Sequence, residues 1–245
     1  MARRRFFVPE IRRGIAELTG TESEHLVRVL RVEPGQIFEI SDNRKVYLAE
    51  VETARKSLVT FTVRDEVPVE QAAVQIHLLA ALFKFDRFEW LVEKATELGV
   101  TVIQPVVATR SEHGLAQASA KRRARWEKIA LEASQQSRRA YLPVVQPAIS
   151  LERGLAHVAD LRLFLDEAPD TKPILDRIPL TRQRNQSAAI LVGPEGGWTD
   201  QERESALESG WMACGLGQTI LRAETAGIAA IAVVSAAWQE RSNSR

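Results

Sequence analysis

Residues 191–198, LVGPEGGW, decide which fold the sequence predicts. The apolar run over residues 188–192 predicts a buried strand, the glycines and the proline predict a sharp turn, and Thr199 or Asp200 can cap a helix that follows. Glycine lets backbone N–H and C=O groups approach a ligand closely, and ligands of open α/β sheets lie beyond the carboxyl ends of the strands. The segment therefore indicates either a ligand-binding loop or an ordinary tight turn between a strand and a helix.

A second glycine loop lies farther along the chain, at residues 215–227, GLGQTILRAETAG. A short strand over residues 213–216 leads through this loop to a helix over residues 224–238, which is apolar on nearly all sides and is therefore expected to be buried. Arg222 and Glu224 stand at the helix entrance, where one explanation is that Glu224 complements the helix dipole and Arg222 is its surface partner. Two such loops at strand ends favour the other explanation, a single shared site.

Residues 191–198 match neither of two common nucleotide-binding loops. The segment lacks the phosphate-binding lysine of G-x-x-x-x-G-K-[ST], and it does not have the glycine spacing of G-x-G-x-x-G. It also lies late in its domain, whereas a dinucleotide-binding loop follows the first strand. These differences argue against a nucleoside triphosphate or a dinucleotide that is bound in the usual way.

The rest of the chain divides into two regions with different patterns. Residues 1–70 carry short alternating strands around one helix at residues 22–31, which favours a small barrel or sandwich. Its strands are predicted at residues 37–41, 46–52 and 58–63. Over residues 71–245, apolar strands alternate with helices, which favours a largely parallel sheet covered by helices. The prediction is an α/β protein with a small β domain at residues 1–70 and a larger domain at residues 71–245.

Several elements of the larger domain have clear limits in the sequence. Residues 74–82 form a continuous apolar run, as in a strand that is buried on both faces. Asp86 is expected to cap a helix that ends at Gly99. A long amphipathic helix is predicted over residues 121–139.

The composition is that of an ordinary globular protein, and it excludes several kinds of site. A formal net charge of +1 excludes a uniformly basic surface, although a local basic patch remains possible. The single cysteine, Cys214, permits no internal disulfide, and the four histidines lack the spacing of ligands, so no metal is expected. No apolar run approaches the roughly 20 residues of a membrane span, and the first residues, MARRRFFVPE, lack the apolar stretch of a signal peptide. A cytoplasmic protein without membrane contact is the expectation.

Basic residues form two clusters, one near the N-terminus and one on the helix at residues 121–139. Such clusters bind phosphate backbones with an affinity that depends strongly on salt. A solvated helix face and a basic tail are the commoner explanation, but the nearby ligand loops favour RNA. The residues that we expect to contact RNA are Arg3, Arg4, Arg5, Arg28, Arg31, Arg110, Arg122, Arg125, Arg138 and Arg139.

Taken together, these segments resemble the RsmE-type family of 16S ribosomal RNA uracil-N3 methyltransferases, within the SPOUT superfamily. The most specific matches are LVGPEGG at residues 191–197 and LGxxILRAETA at residues 216–226, in this order near the C-terminus. Weaker matches are RFFV at residues 5–8, FEWLVEKATELGV at residues 88–100 and RWxKIAxEASQQSxR at residues 125–139. Ala223 departs from the family, in which threonine is frequent at this position.

The resemblance implies a PUA-like β-barrel followed by a SPOUT domain that ends in a trefoil knot, an exception to the rule that chains do not thread loops. The knot would pass residues 224–238 back through the chain and hold the cofactor, S-adenosylmethionine, in a bent shape. It would also form the interface of a homodimer. The implied activity is methylation of N3 of a specific uridine in 16S ribosomal RNA, with the small ribosomal subunit as the partner.

The resemblance and the chemistry of methyl transfer also suggest roles for individual residues. Arg222 is expected to stabilise the negative charge that develops on the uracil, and Glu195 and Glu224 are the candidate bases for its N3 proton. The residues expected to bind the cofactor are Leu191, Gly193, Pro194, Glu195, Gly196, Leu216, Gly217, Ile220, Leu221 and Ala226.

Two alternatives stay open at this point. A related SPOUT methyltransferase would act on another RNA or on a ribose 2′-hydroxyl, because one fold supports several chemistries. A non-catalytic RNA-binding or ribosome assembly factor would keep the barrel and lose the cofactor site, although the intact glycine loops argue against this.

Overall fold

The computed structural model describes residues 4–239, and these residues belong to two units. The first unit comprises the residues up to Glu70 together with Ser134–Leu142, and the second comprises Gln71–Ala133 and the residues from Pro143 onward. In this part of the chain, no helix combines the length and the apolar character that a membrane crossing requires.

The first unit is a six-stranded sheet with one helix against it. Its elements are β1 (Arg5–Phe7), β2 (Ile11–Arg12), β3 (Ile15–Thr19), α1 (Gly20–Arg28), β4 (Ile37–Ser41), β5 (Val46–Arg55) and β6 (Leu58–Val67). The strand order is β1-β4-β5-β6-β3-β2, in which β1 and β4 are parallel and the other pairs are antiparallel. Alternate residues such as Leu18, Ile40 and Phe61 are buried in its core together with Leu26 of α1. The small β domain expected from the alternating pattern is confirmed.

The segment Ser134–Leu142 joins the first unit through hydrogen bonds to the β4–β5 turn and to β1. Ser41 Oγ donates to the Ala140 carbonyl at 2.7 Å, and the Leu142 N–H donates to Asn43 Oδ1 at 2.7 Å. The sequence pattern carries no sign of this excursion, because hydrogen bonds to backbone atoms leave no periodic signal in the side chains.

The second unit is built on a parallel sheet. Its elements are β7 (Val74–Ala81), α2 (Phe85–Glu97), β8 (Val102–Val107), α3 (Leu115–Gln136), β9 (Val144–Val145), β10 (Ile149–Ser150), α4 (Leu151–Leu155), β11 (Leu161–Leu165), β12 (Gln186–Val192), α5 (Asp200–Glu208), β13 (Met212–Cys214) and α6 (Ala223–Gln239). The last three residues of α3 are counted with the first unit. The strand order is β10-β8-β7-β12-β11-β13, and β9 also pairs with β8. All these pairs are parallel, as the alternation of strands and helices predicted.

Both faces of this sheet are buried. Residues such as Leu78 and Ile190 belong to the core that contains Leu91 of α2 and Ile231 of α6. Alternate residues such as Leu79 and Leu191 face a second core with α4 and α5. This burial explains why the central strands are apolar throughout rather than alternating. Because all the strand pairs are parallel, the carboxyl ends of the strands lie along one edge.

The predicted limits of two helices, α2 and α3, need correction. The helix α2 begins at Phe85 and its N-cap residue is Lys84, so Asp86 lies in the first turn and is not the cap. The helix α3 spans Leu115–Gln136 rather than residues 121–139, because alanine and serine at its start carry no apolar stripe. In contrast, Gly99 ends α2 as predicted, with a φ of 96° that favours glycine.

Candidate functional site

A cavity of about 480 Å³ lies at the carboxyl ends of β11, β12 and β13 in the second unit. The first glycine loop contributes Gly193, Pro194 and Glu195 to its wall. The second loop contributes Leu216, Gly217, Ile220 and Leu221, and α6 adds Ala226. The two loops that the sequence suggested as one shared site therefore line one cavity.

Two residues expected to bind the cofactor lie behind this wall. Leu191 is fully buried within β12 and packs in the core on the side of α4 and α5. Gly196 packs against Arg110, whose Nη1 donates to the Gly196 carbonyl at 2.9 Å and to the Trp198 carbonyl at 3.1 Å. Arg110, expected to contact RNA, thus holds the backbone of the first glycine loop.

Trp198 joins the first glycine loop to the neighbouring strand. Its indole Nε1 donates to the carbonyl of Leu165, the last residue of β11, at 2.9 Å. The ring stacks on Phe164 with 4.9 Å between centroids. Because β11 and β12 are adjacent in the sheet, this contact holds the loop against the cavity.

The helix after the loop starts with a capping box, and of the two residues proposed as its cap, Thr199 or Asp200, it is Thr199 that occupies the position. The Thr199 side chain accepts from the Glu202 N–H, and Glu202 Oε2 accepts from the Thr199 N–H at 2.9 Å. Glu202 Oε1 also accepts from the Thr109 N–H at 2.7 Å. Burial by itself would raise the pKa of Glu202, but the N–H donors of Thr109 and Thr199 outweigh it and hold that pKa below its usual range.

The three expected catalytic residues have different environments. Arg222 lines the cavity and is exposed, and its guanidinium makes no hydrogen bond or ion pair with the residues that the structure describes. Glu195 also lines the cavity, with a third of its side chain exposed, and forms an ion pair with Arg87. Glu224 is only 3% exposed and is not part of the cavity wall.

Three charged residues of the cavity wall were not expected from the sequence. They are Arg87 at the start of α2, and Asp166 and Glu167 directly after β11. Asp166 accepts from Arg203 Nε at 3.0 Å. A signal for the acidic pair was available, since both residues directly follow the apolar segment of β11, Leu161–Leu165, at the edge where the loops lie. Arg87 had no such signal, because it lies far from both loops in the sequence.

Cys214, at the end of β13, also lines the cavity, but it is not a nucleophile. Burial raises the pKa of this thiol to about 12, so it stays protonated at neutral pH. Over residues 4–239, no group of three or more His, Cys, Asp or Glu residues could hold a metal ion. The charged residues of the cavity wall are Arg87, Asp166, Glu167, Glu195 and Arg222.

Comparisons with known proteins place the chain in a family. Residues 70–235 match an RNA methyltransferase domain, and residues 18–64 match an RNA methyltransferase PUA domain. Ribosomal RNA small subunit methyltransferase E of Bacillus subtilis is 32% identical, and the alignment covers 94% of this chain and 95% of that protein. The chain belongs to the ribosomal RNA small subunit methyltransferase E family. It is therefore a methyltransferase.

Two further relatives agree with this family. The enzyme of the same description from Synechocystis is 32% identical, over 96% of this chain and 78% of that protein. The crystal structure of ribosomal RNA small subunit methyltransferase E from Neisseria gonorrhoeae, bound to S-adenosyl methionine, superposes with a TM-score of 0.85. It is 33% identical and covers 96% of this chain and 98% of that one.

In the first unit of this family member, the arginines expected to contact RNA divide into exposed and internal ones. Arg4, Arg28, Arg31 and Arg138 are exposed, and Arg28 Nη1 lies 3.2 Å from Glu24 Oε1. Arg5 has a side chain that is only 12% exposed, since it binds Glu39 and the Arg138 carbonyl. Burial lowers the pKa of Arg139 to about 10, which still leaves it charged at neutral pH. Arg3 lies outside the described residues.

In the second unit, Arg122 and Arg125 share one acidic partner. Arg125 Nε donates to Glu89 Oε1 at 2.7 Å, and Arg122 Nη1 lies 3.4 Å from the same oxygen. The Arg122 guanidinium also lies over the Phe85 ring, 5.0 Å from its centroid. Both arginines remain about half exposed or more, so they present positive charge to solvent.

Proposed function

We propose that this chain transfers a methyl group from S-adenosylmethionine to N3 of a specific uridine in 16S ribosomal RNA of the small subunit. The observation that carries the proposal is the convergence of both glycine loops on one cavity, in a chain that resembles a donor-bound relative along almost its whole length. The cavity volume of about 480 Å³ is within the usual range for a small-molecule ligand.

The lining of the cavity fits the proposed donor. Backbone groups of Gly193, Leu216 and Gly217 can bind the adenosine, since glycine permits close approach. Leu221 and Ile220 supply apolar contact. The carboxylates of Asp166 and Glu167 suit a ligand that carries positive charge on its sulfonium and its amino group. S-adenosylmethionine supplies an electrophilic methyl group on sulfur.

The cavity also holds groups that can act on uridine. The N3 lone pair attacks the methyl carbon, the carbon–sulfur bond breaks with its electrons on sulfur, and the N3 proton must pass to a base. We assign Glu195 as that base, because it lines the cavity whereas Glu224 is buried outside the wall. We assign Arg222 to the uracil carbonyls, because its guanidinium has no partner among residues 4–239 and is free to stabilise negative charge.

The substrate must present its Watson–Crick edge, so the uridine has to be unpaired or extruded from a helix. The exposed arginines of both units, including Arg4, Arg28, Arg31, Arg122 and Arg125, are proposed to bind RNA phosphates. Arg5 and Arg110 are assigned to holding the backbone instead, since their guanidinium groups donate to backbone carbonyls of the protein.

We also propose that the second unit contains a trefoil knot and forms a homodimer. After β13, at one edge of the sheet, the chain returns to pack α6 against β7 and β12 in the middle of the sheet. A return of this kind is what a knot requires. Partly buried apolar residues of α6, such as Ile228 and Val233, retain some exposed surface that suits an interface. Light scattering during gel filtration would test the dimer by its mass.

The experiment that tests the activity uses the purified chain, labelled S-adenosylmethionine and small ribosomal subunits that lack the modification. The RNA is digested to nucleosides, and 3-methyluridine is the expected labelled product. Label on a ribose oxygen would point to the related methyltransferase instead. Folded protein that takes up no donor in a calorimetric titration, and transfers no label, would contradict both enzymatic proposals. The Arg222→Gln variant serves as the low-activity control.

A further inference from the structure

The first turn of α2 faces two carboxylates, and one arginine lies between them. Arg87 Nη1 contacts Glu195 Oε1 in the first glycine loop, and Arg87 Nε lies 4.0 Å from Glu224 Oε1 at the start of α6. The Arg87 side chain is 31% exposed and belongs to the cavity wall. Three elements that are distant in sequence therefore meet at one guanidinium group.

The two carboxylates are in contrasting surroundings. The Glu195 side chain is 33% exposed at the cavity, whereas the Glu224 side chain is 4% exposed. The Glu224 Oε2 atom is buried and has no hydrogen-bond partner among the residues described. A buried carboxylate is costly unless a cation lies nearby. Arg87 is the cation that the structure places beside Glu224.

Tight helix packing sets the distance between Arg87 and Glu224. A Cβ atom at Gly227 would lie 3.0 Å from Leu91 Cδ1 of α2 and 3.4 Å from Val192 Cγ2 of β12. Leu91 is one turn from Arg87, and Gly227 is one turn from Glu224, so both pairs share the facing sides of α2 and α6. The arginine is consequently part of a packed junction and not a free surface side chain.

We propose that Arg87 is a positioning residue for methyl transfer. It holds the Glu195 carboxylate at the cavity in the orientation that receives the N3 proton, and Glu224 holds Arg87 from the opposite side. A guanidinium suits this position, because its planar fork directs several N–H donors at once and a lysine ammonium does not. The inference rests on the proposed role of Glu195 as the base.

A simpler role for Arg87 would be to neutralise buried Glu224 and thereby stabilise the fold. The two roles predict different effects of a second substitution, Glu224→Gln, on the stability and on the rate of an Arg87 variant. If Arg87 only neutralises Glu224, replacing Glu224 by the uncharged glutamine removes the need for it. If Arg87 positions Glu195, the same second substitution restores stability but leaves Glu195 without its partner.

The experiment compares Arg87→Met, Arg87→Lys and the double variant Arg87→Met/Glu224→Gln with the wild type. For each folded enzyme, Tm, the Kd for S-adenosylmethionine, the KM for the RNA substrate and the single-turnover rate are measured. Lys94→Met is the matched control, because Lys94 also lies on α2 between two carboxylates, Glu93 and Glu97, and is 32% exposed. Lys94 is not part of the cavity wall.

We expect Arg87→Met to lower the single-turnover rate about 10²-fold, as for a misplaced catalytic group, with little change in KM or in donor Kd. Arg87→Lys should recover part of the rate, since lysine keeps the positive charge but lacks the planar set of N–H donors of the guanidinium. The double variant should recover Tm while its rate stays low. The Lys94→Met rate should equal that of the wild type.

Three results would overturn the proposal. They are a wild-type rate in folded Arg87→Met, a full recovery of rate in the double variant, and a loss that lies only in donor affinity. The proposed function is tested separately, by identifying the methylated nucleoside that the wild-type enzyme produces. Methyl on a ribose hydroxyl would overturn the uracil assignment, while the Arg87 variants would still be compared through that product. A wild type that transfers no methyl group would overturn both.

Discussion

Gly193 lies directly beneath the indole ring of Trp198, and a Cβ atom at Gly193 would stand 3.0 Å from both Nε1 and Cε2 of that ring. The same Nε1 donates to the Leu165 carbonyl at 2.9 Å. The glycine is therefore required for the contact between the first glycine loop and β11. Gly193 also belongs to the cavity wall, so the contact links loop packing to ligand binding.

Replacing Gly193 by alanine should displace Trp198 and weaken its bond to Leu165. Overpacking of this kind costs about 1–3 kcal/mol of stability. If half of that cost acts on the donor-bound loop, the Kd for S-adenosylmethionine rises about 2- to 10-fold. Calorimetric titration and thermal unfolding measure the two effects. Gly215→Ala is the control, because a Cβ atom there meets nothing closer than 3.7 Å. Equal donor affinity in both variants would contradict this account.

Gly227→Ala should lower the stability of the second unit. The added methyl group would meet Leu91 Cδ1 at 3.0 Å, with a cost of about 1–3 kcal/mol that exceeds the gain in helix propensity of up to about 1 kcal/mol. Thermal unfolding checks the direction. The matched control is Gly154→Ala in α4, where the nearest contact is 3.4 Å and helix propensity should prevail. A Gly227→Ala protein as stable as the wild type would mean that α2 and α6 separate easily.

Arg222→Gln should slow methyl transfer without weakening the binding of S-adenosylmethionine. Removing a hydrogen-bond donor that stabilises a developing negative charge lowers kcat about 10²–10³-fold. S-adenosylmethionine, in contrast, is proposed to bind mainly through backbone groups of the loops, so its affinity should not change. Single-turnover rates and calorimetry separate the two quantities. Arg153→Gln is a suitable control, because Arg153 is exposed on α4 and is not part of the cavity wall. A weaker donor affinity with an unchanged rate would assign Arg222 to cofactor binding instead.

The pair His77 and His157 should make stability depend on pH. Their facing ring nitrogens, Nδ1 and Nε2, are 2.8 Å apart. Burial lowers the pKa of both histidines, and a neighbouring charge adds to this, from His157 for His77 and from Arg162 for His157. The unfolded chain then binds protons more readily, so stability is full above the ordinary histidine pKa of 6.5 and falls as the pH drops below it.

Urea unfolding between pH 7.5 and about 5.5, a range that spans the ordinary histidine pKa, measures this dependence. His157→Gln should flatten it, since the glutamine does not titrate. His113→Gln is the comparison variant, because His113 is exposed and its replacement should keep the wild-type slope. A His157→Gln protein with the slope of the wild type would assign the pH dependence to other groups.

Much of the fold was predictable from local patterns. The strand over Ile37–Ser41 was predicted at its observed limits, and the buried strand β7 differs from its prediction only at the last residue. These elements were accessible because burial imposes a period of two on a half-buried strand and a continuous apolar run on a central one. The very short strands β1 and β2 were missed, because their partners, β4 and β3, supply the pairing that so few residues cannot specify alone.

The candidate site, like the fold, was predictable in part from the sequence. The two glycine loops were identified from residue type and position at strand ends, and Glu195 and Arg222 from the resemblance and the chemistry of methyl transfer. Most of the first loop, residues 216–221 of the second, Glu195 and Arg222 line the cavity, whereas Gly196 lies behind its wall. Arg87 was missed, since it is 108 residues from Glu195 in the sequence. The burial of Glu224 could not be predicted from the sequence pattern, nor could the hydrogen bonds from Arg5 and Arg110 to backbone carbonyls. A charged residue is the same letter in the sequence whether its side chain faces solvent or a partner in the protein.

The sequence by itself determined the class of fold, the places where strands end in glycine loops, and the family to which the chain is similar. The class of fold and the strand ends follow from hydrophobic period and backbone freedom, which are properties of neighbouring residues. The family resemblance follows from the motifs at residues 191–197 and 216–226. Only the tertiary structure decided that Trp198 holds its loop to Leu165, that Arg87 lies between two carboxylates, and that one of these carboxylates is buried. These relationships depend on strand order and on helix packing, which bring distant residues to within a few ångströms and are not encoded in any single segment.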